Sequence, residues 1–262
     1  TVMLRLLVVV ILLLGLLWWL RRRRRRRSAQ ESTVACDPTA VLQSNVHLYR
    51  RLPPALQERL LPRLEEFIRR IPFTGARGLQ VTDDMRVIVA AQACIPTLGS
   101  DEYPFDALHG ITLHPDEFVV EEQDEDESTG VVTEGYRALS GQSLDTDRVV
   151  LSWRDVQDAE TREDGYNVVI HEITHFLEAS RPGGDAAAHA ALAASHAELC
   201  RAVDRGEPTL LDPYGAEDLT EFLAVAAEFF FERPRDLREQ HPTLYVLLRD
   251  SFRLDPAEWP AV

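Results

Sequence analysis

Residues 171–175 read His-Glu-Ile-Thr-His. On an α-helix, positions i and i+4 share a face, so the imidazoles of His171 and His175 can meet at one metal ion with the carboxylate of Glu172 beside them. This is the constellation of a Zn²⁺ that activates water, with a glutamate as general base. The flanks suit it. Val168–Ile170, Ile173–Thr174 and Phe176–Leu177 are all uncharged, as a buried metal-bearing helix requires, and Asp164-Gly165 offers a helix start.

A catalytic zinc takes three protein ligands and keeps a fourth position open. A third histidine in an H-E-x-x-H-x-x-G-x-x-H pattern is excluded, because Glu178 and Arg181 stand at the Gly and His positions. The candidates further on are Glu178, His189, His196, Glu217, Glu221 and Glu228. Glu178 follows His175 by three residues on the same helix and suits a supporting contact or surface salt bridge better than ligation. His189 and His196 lie in an Ala-rich stretch that reads as partly exposed helix. Residues 219–231 (LTEFLAVAAEFFF) form a strongly apolar helix whose only acids are Glu221 and Glu228. A buried carboxylate is costly unless paired or metal-bound, so both need partners. They lie about 10.5 Å apart along the helix axis, so one metal can take only one of them. Spacing alone leaves the choice open.

The elements that position these residues follow from periodicity. Thr39 to Pro72 reads as two helices broken at Pro53-Pro54. The second carries Leu56, Leu60, Leu61, Leu64, Phe67 and Ile68 at helical spacing, with Pro62 placed to kink it. Thr82 to Ala93 reads as a third helix, capped by Thr82 or Asp83 and halted by Pro96. From Ala107 the period becomes two, predicting strands at Gly110–His114, Phe118–Val120, Val131–Leu139 and Arg148–Trp153. The acidic run 121–127 (EEQDEDE) reads as a solvated loop between strands. From Arg154 the chain reads as helical, with breaks near 182–184, 206–213 and Pro234. Helices, a small antiparallel sheet and more helices predict an α+β domain over 39–262, joined by a linker over 28–38. Arg148–Trp153 is expected to be an edge strand against which an extended peptide lies.

Residues 6–20 are an apolar run ending in Trp18-Trp19-Leu20, followed by seven arginines. Residues 1–27 are therefore expected to form a transmembrane helix with a polyarginine stop-transfer signal. The catalytic domain would face the cytoplasm of a bacterial inner membrane. Translation starting further along would instead leave the protein cytoplasmic.

The formal charge of −15 conceals an asymmetry: all 43 acidic residues follow residue 27, against 20 arginines there, a net charge near −23. A body that acidic repels phosphate backbones, so no direct nucleic-acid partner is expected. Lysine is absent, and alanine, aspartate and glutamate abound, the bias of a GC-rich bacterial genome. Three cysteines without a C-x-x-C pair argue against a disulfide framework.

Three stretches together carry a family resemblance: 148–158 (RVVLSWRDVQD), 165–177 (GYNVVIHEITHFL) and 212–230 (DPYGAEDLTEFLAVAAEFF). The chain resembles the Mlc titration factor A family of zinc peptidases over most of residues 50–256. More distantly it is similar to the catalytic domain of anthrax lethal factor. The resemblance implies a zincin-like fold and peptide or protein substrates. It also implies that the third zinc ligand is the glutamate seven residues after a tyrosine, which is Glu221 after Tyr214. Glu228 then supports or packs. Leu223, Gly215 and Glu178 depart from the family pattern, and none is a proposed ligand. Tyr214 is placed to donate a hydrogen bond to a developing oxyanion. Because the family is named for sequestering a transcriptional repressor, Mlc, a non-catalytic regulatory binding protein is the alternative the resemblance carries.

Overall fold

The computed structural model describes residues 34–116, 118–125, 132–139, 141–144, 147–161, 164–180 and 186–260, with backbone alone between 118 and 144. Three helices open the described chain: α1 (Pro38–Asn45), α2 (His47–Arg51) and α3 (Pro54–Arg70). The chain breaks once more than expected, at Val46, whose backbone is extended. Pro54 occupies the first turn of α3, where its missing N–H costs nothing, and α3 runs through Pro62. It buries Leu60, Leu64, Phe67 and Ile68 against α4 (Asp83–Cys94), which is capped by Thr82. Nine of the twelve residues of α4 are buried, so it is a core helix rather than an amphipathic one.

The main sheet corrects the expected fold class. Strand β1 (Phe73–Gly75) pairs in parallel with β2 (Gly110–His114), and β2 pairs in parallel with β6 (Arg148–Ser152). Only the edge strand β5 (Gly141–Leu144) runs antiparallel, along β6, giving the order β1-β2-β6-β5. The architecture is therefore mostly helical around a small sheet that is parallel across three strands. Period-two alternation reports which face a residue takes, not which strand lies alongside. After β2 the chain makes a separate hairpin of β3 (Phe118–Glu125) and β4 (Val132–Leu139), re-enters the sheet as β5 against the direction of β2, and turns into β6, which therefore runs parallel to β2. Residues 121–125 of the acidic run lie in β3 rather than in a loop. Nor is β6 an edge: it is flanked by β2 and β5, so the expected peptide ledge is closed there.

The expected transmembrane helix is corrected too. No helix among the described residues is long and apolar enough to cross a membrane. The 6–20 run lies outside the described residues.

After β6, Ser152 caps a short α5 (Trp153–Asp158) and the chain turns into α6 (Val168–Ala179), which carries residues 171–175. Helix α6 packs on β5 and β6, on α4, and on α8 (Leu219–Glu232). Burial of nine of its twelve residues explains the apolar stretches around His171 and His175. Helix α7 (Ala186–Asp204) and a 3₁₀ turn (Pro213–Ala216) lead into α8; α9 (Pro234–Gln240) and α10 (Pro242–Phe252) close the core. Phe230 of α8 stacks on Phe252 and Phe231 meets the same ring edge-on; losing either of these two buried α8 rings typically costs about 3–5 kcal/mol.

Helix α2 is tied to the far end of α8. Arg51 Nη1 donates to the carbonyls of Phe231 and Glu232, both at 3.1 Å, satisfying orphan acceptors of the last turn. His47 lies between two carboxylates, Nε2 2.5 Å from Glu232 and Nδ1 3.2 Å from Glu160. Burial lowers the pKa of His47, but hydrogen bonds and charge from Glu160 and Glu232 override it and raise it to about 9. Burial likewise raises Glu160, and its bonds to His47 bring it below its usual value. The histidine contribution to stability is complete below the unfolded value near 6.5 and is lost as pH rises through about 9. Urea unfolding across pH 6 to 10 is therefore expected to show wild type losing stability relative to His47→Gln, with the gap closing over that window. Parallel curves would contradict the assignment.

Candidate metal centre

The site begins at the start of α6. Gly165 turns the chain with φ +97, and a Cβ there would stand 2.8 Å from the Phe229 ring, so both conformation and space demand glycine. The helix then starts at Asn167 rather than at Asp164, whose side chain instead accepts from Tyr166 N. Asn167 Oδ1 caps the helix by accepting from Ile170 N at 3.1 Å.

One turn on, His171 and His175 project from the same face, their Nε2 atoms 3.1 Å apart. Glu221, in the first turn of α8, places Oε2 3.0 Å from His171 Nε2 and 3.4 Å from His175 Nε2. Ligand atoms around a tetrahedral zinc, with bonds of about 2.0–2.1 Å, are separated by roughly 3.3 Å. The three atoms thus make a face into which zinc fits. They are the only such trio of His, Cys, Asp or Glu among the described residues.

Glu228, the other acid of α8, lies outside the trio. Its Oε1 lies 2.7 Å from His171 Nδ1, on the opposite edge of the ring from Glu221. One imidazole bridges the two turns between the carboxylates. A proton on Nδ1 shared with Glu228 leaves Nε2 as the lone-pair donor, the usual support for a metal-bound histidine. Glu228 is 3% exposed, and its other oxygen accepts from Asn167 N at 2.5 Å.

The electrostatics favour a cation. Burial pulls the pKa of His171 down, yet its bonds to Glu221 and Glu228 hold it up at about 10. Glu221 sits well below its usual value despite burial, because both histidines stabilise its charge. Burial raises Glu228, with His171 opposing. Burial also pushes Glu172 up to about 7, opposed by His171 and His175. Three carboxylates around two imidazoles leave a surplus of negative charge that a divalent ion would neutralise while the ligating imidazoles become neutral. Glu172 is 4% exposed, and its Oε2 has no hydrogen-bond partner among the described residues. A buried carboxylate oxygen without a donor is expensive, and so calls for a ligand proton or water.

Tyr214 lies in the 3₁₀ turn before α8, its ring 6.0 Å from that of His171. Glu178, His189 and Glu217 are exposed and lie outside the trio; His196 contacts Cys200 and the Ala216 carbonyl instead. Sequence reasoning missed Asn167, Glu232 and His47. An Asn directly before an apolar helix was the available signal for the first; a glutamate at a helix end and a distant histidine gave none.

Comparison with known proteins agrees with this chemistry. A family model described as glucose-regulated metallo-peptidase M90 matches residues 19–253. The chain is 30% identical over 234 residues to an uncharacterized protein of Synechocystis sp., with 83% of each chain covered. It is 30% identical to Mlc titration factor A of Pectobacterium atrosepticum, covering 76% of this chain and 79% of that one. To Mlc titration factor A of Serratia proteamaculans it is 31% identical, with 76% and 80% covered.

Proposed function

Given that this chain belongs to the glucose-regulated metallo-peptidase M90 family, we propose that it hydrolyses peptide bonds with a zinc ion held by His171, His175 and Glu221. The observation that carries this is the convergence of those three ligand atoms beside a buried carboxylate oxygen with no other partner. Bound there, zinc would polarise the scissile carbonyl and acidify the attacking water. The protein residues supply the rest. Glu172 Oε2 accepts the proton from that water and later delivers it to the leaving amine nitrogen. Glu228 holds His171 in one tautomer and orientation. The substrate backbone lies along β5, the edge strand packed beside α6, where main-chain groups of an extended peptide can add to the sheet.

Tyr214, next to His171, serves as oxyanion donor. Tyr214→Phe is expected to lower kcat roughly 10²- to 10³-fold with KM and zinc content little changed, the pattern of a bond made only in the transition state. A Phe variant within about threefold of wild type would make Tyr214 a packing residue.

Digestion of a peptide library with and without chelator tests the activity: cleavage that vanishes on chelation and returns with zinc supports it. The second reading rests on the name of two relatives, Mlc titration factor A. In that reading the chain binds a repressor of the Mlc type. Pull-down of such a repressor by a Glu172→Gln variant would separate binding from cleavage.

A further inference from the structure

The acidic residues of α8 form a pattern beyond the metal site. Glu221, Glu228 and Glu232 lie at i, i+7 and i+11, which places them on one stripe of a helix that is otherwise almost entirely apolar. Glu221 faces the two Nε2 atoms and Glu228 faces His171 Nδ1. Glu232 reaches the same helix α6 by another route: its Oε1 accepts from Asn167 Nδ2 at 2.7 Å.

Asn167 is fully buried, and every polar group it has is used at this junction. Its backbone N–H donates to Glu228, its Oδ1 caps α6, and its Nδ2 donates to Glu232. The amide cannot flip without losing both side-chain bonds. Glu232 is in turn held from outside by His47 Nε2 at 2.5 Å. His47 is braced by Glu160, which also pairs with Arg50 at 3.4 Å. A continuous chain of polar contacts thus runs from α2 through Glu232, Asn167 and Glu228 to His171.

We propose that Asn167, Glu232 and His47 form a positioning array that fixes the register of α8 on α6. The array thereby keeps Glu228 on His171 Nδ1 and Glu221 beside the two Nε2 atoms. None of the three touches substrate or metal; they act through Glu228. The proposal rests on the zinc reading above and adds that metal affinity is set in part from α2. Helix packing alone would hold the two helices together but would leave an apolar face free to slide by fractions of a turn. Directional bonds to a buried amide do not allow that.

The experiment measures zinc dissociation constants on the full chain by competition with a chromogenic chelator. Asn167→Ser keeps a capping oxygen but loses the donor to Glu232. Glu232→Ala loses the acceptor, and Glu232→Gln restores an amide oxygen. Thr82→Ala removes the cap of α4, away from the site, and shows what lost stability alone does to affinity. Asn167→Ser and Glu232→Ala are each expected to weaken zinc about tenfold, the low end for partners that orient a metal-bound histidine. The double variant should be little worse than either single one, because both remove the same bond. Glu232→Gln should recover to within about threefold of wild type, and Thr82→Ala should leave affinity unchanged. If Asn167→Ser does not fold, the Glu232→Ala and Glu232→Gln pair carries the test. Affinity within twofold of wild type in the folded variants, an equal loss in Thr82→Ala, or additive losses would overturn the array. A wild-type chain that binds no zinc would overturn the metal assignment itself, and the array with it.

Discussion

Glu172→Gln is expected to lower kcat by roughly 10²- to 10⁴-fold, the usual contribution of a positioned general base. The substitution is nearly isosteric at a side chain 4% exposed, so the fold should persist, and it removes no ligand atom, so zinc should stay. KM should change little, because the lost function is proton transfer in the transition state. The location of Glu172 supports the size of the effect. Burial pushes its pKa up to about 7, where a base both accepts and returns a proton readily near neutral pH. Steady-state hydrolysis of a cleaved peptide, beside metal analysis of the same sample, checks it. A variant that keeps both zinc and a wild-type rate would assign the proton transfer elsewhere.

Glu221→Ala should abolish stoichiometric zinc and, with it, activity. Its carboxylate is the only contribution to the trio from outside α6, and two imidazoles alone leave the ion without a third protein ligand. The loss should exceed the roughly 10- to 100-fold typical when only a partner of a metal-bound histidine is removed. That smaller effect is what Glu228→Gln should show, since Glu228 touches His171 at Nδ1 and not at Nε2. The two variants change carboxylates two turns apart on the same stripe of α8 and test which of them ligates. Metal analysis after dialysis decides: full zinc in Glu221→Ala would move the ligand to another residue.

The parts of the site that were legible in the sequence are those fixed by local helix geometry. Two histidines four residues apart must share a face whatever surrounds them, and two acids in an apolar helix must find partners. Which partner each acid finds depends on how α8 lies across α6, a tertiary fact without a local signal. The start of α6 was misplaced because Asp164-Gly165 and Asn167 are both plausible beginnings. The positive φ at Gly165 belongs to the turn before the helix, and the cap belongs to Asn167. The sheet failed for a different reason. Three residues of β1 are too few to show a period, and alternation in β2 and β6 is the same for parallel and antiparallel neighbours. The break at Val46 carries neither Pro nor Gly and left no mark.

Among the described residues, β3 and β4 pair only with each other, and the hairpin lies between β2, where the chain leaves the main sheet, and β5, where it rejoins it. A two-stranded ribbon of that kind is at best marginally stable by itself, while the β2–β6 ladder beside it is anchored in the core. The chain therefore has a place where insertions, deletions and drifting charge can accumulate with little consequence for the metal-bearing helix. Among relatives, this arm is where length and composition should diverge first, and where a new binding specificity could be grafted onto an unchanged catalytic frame.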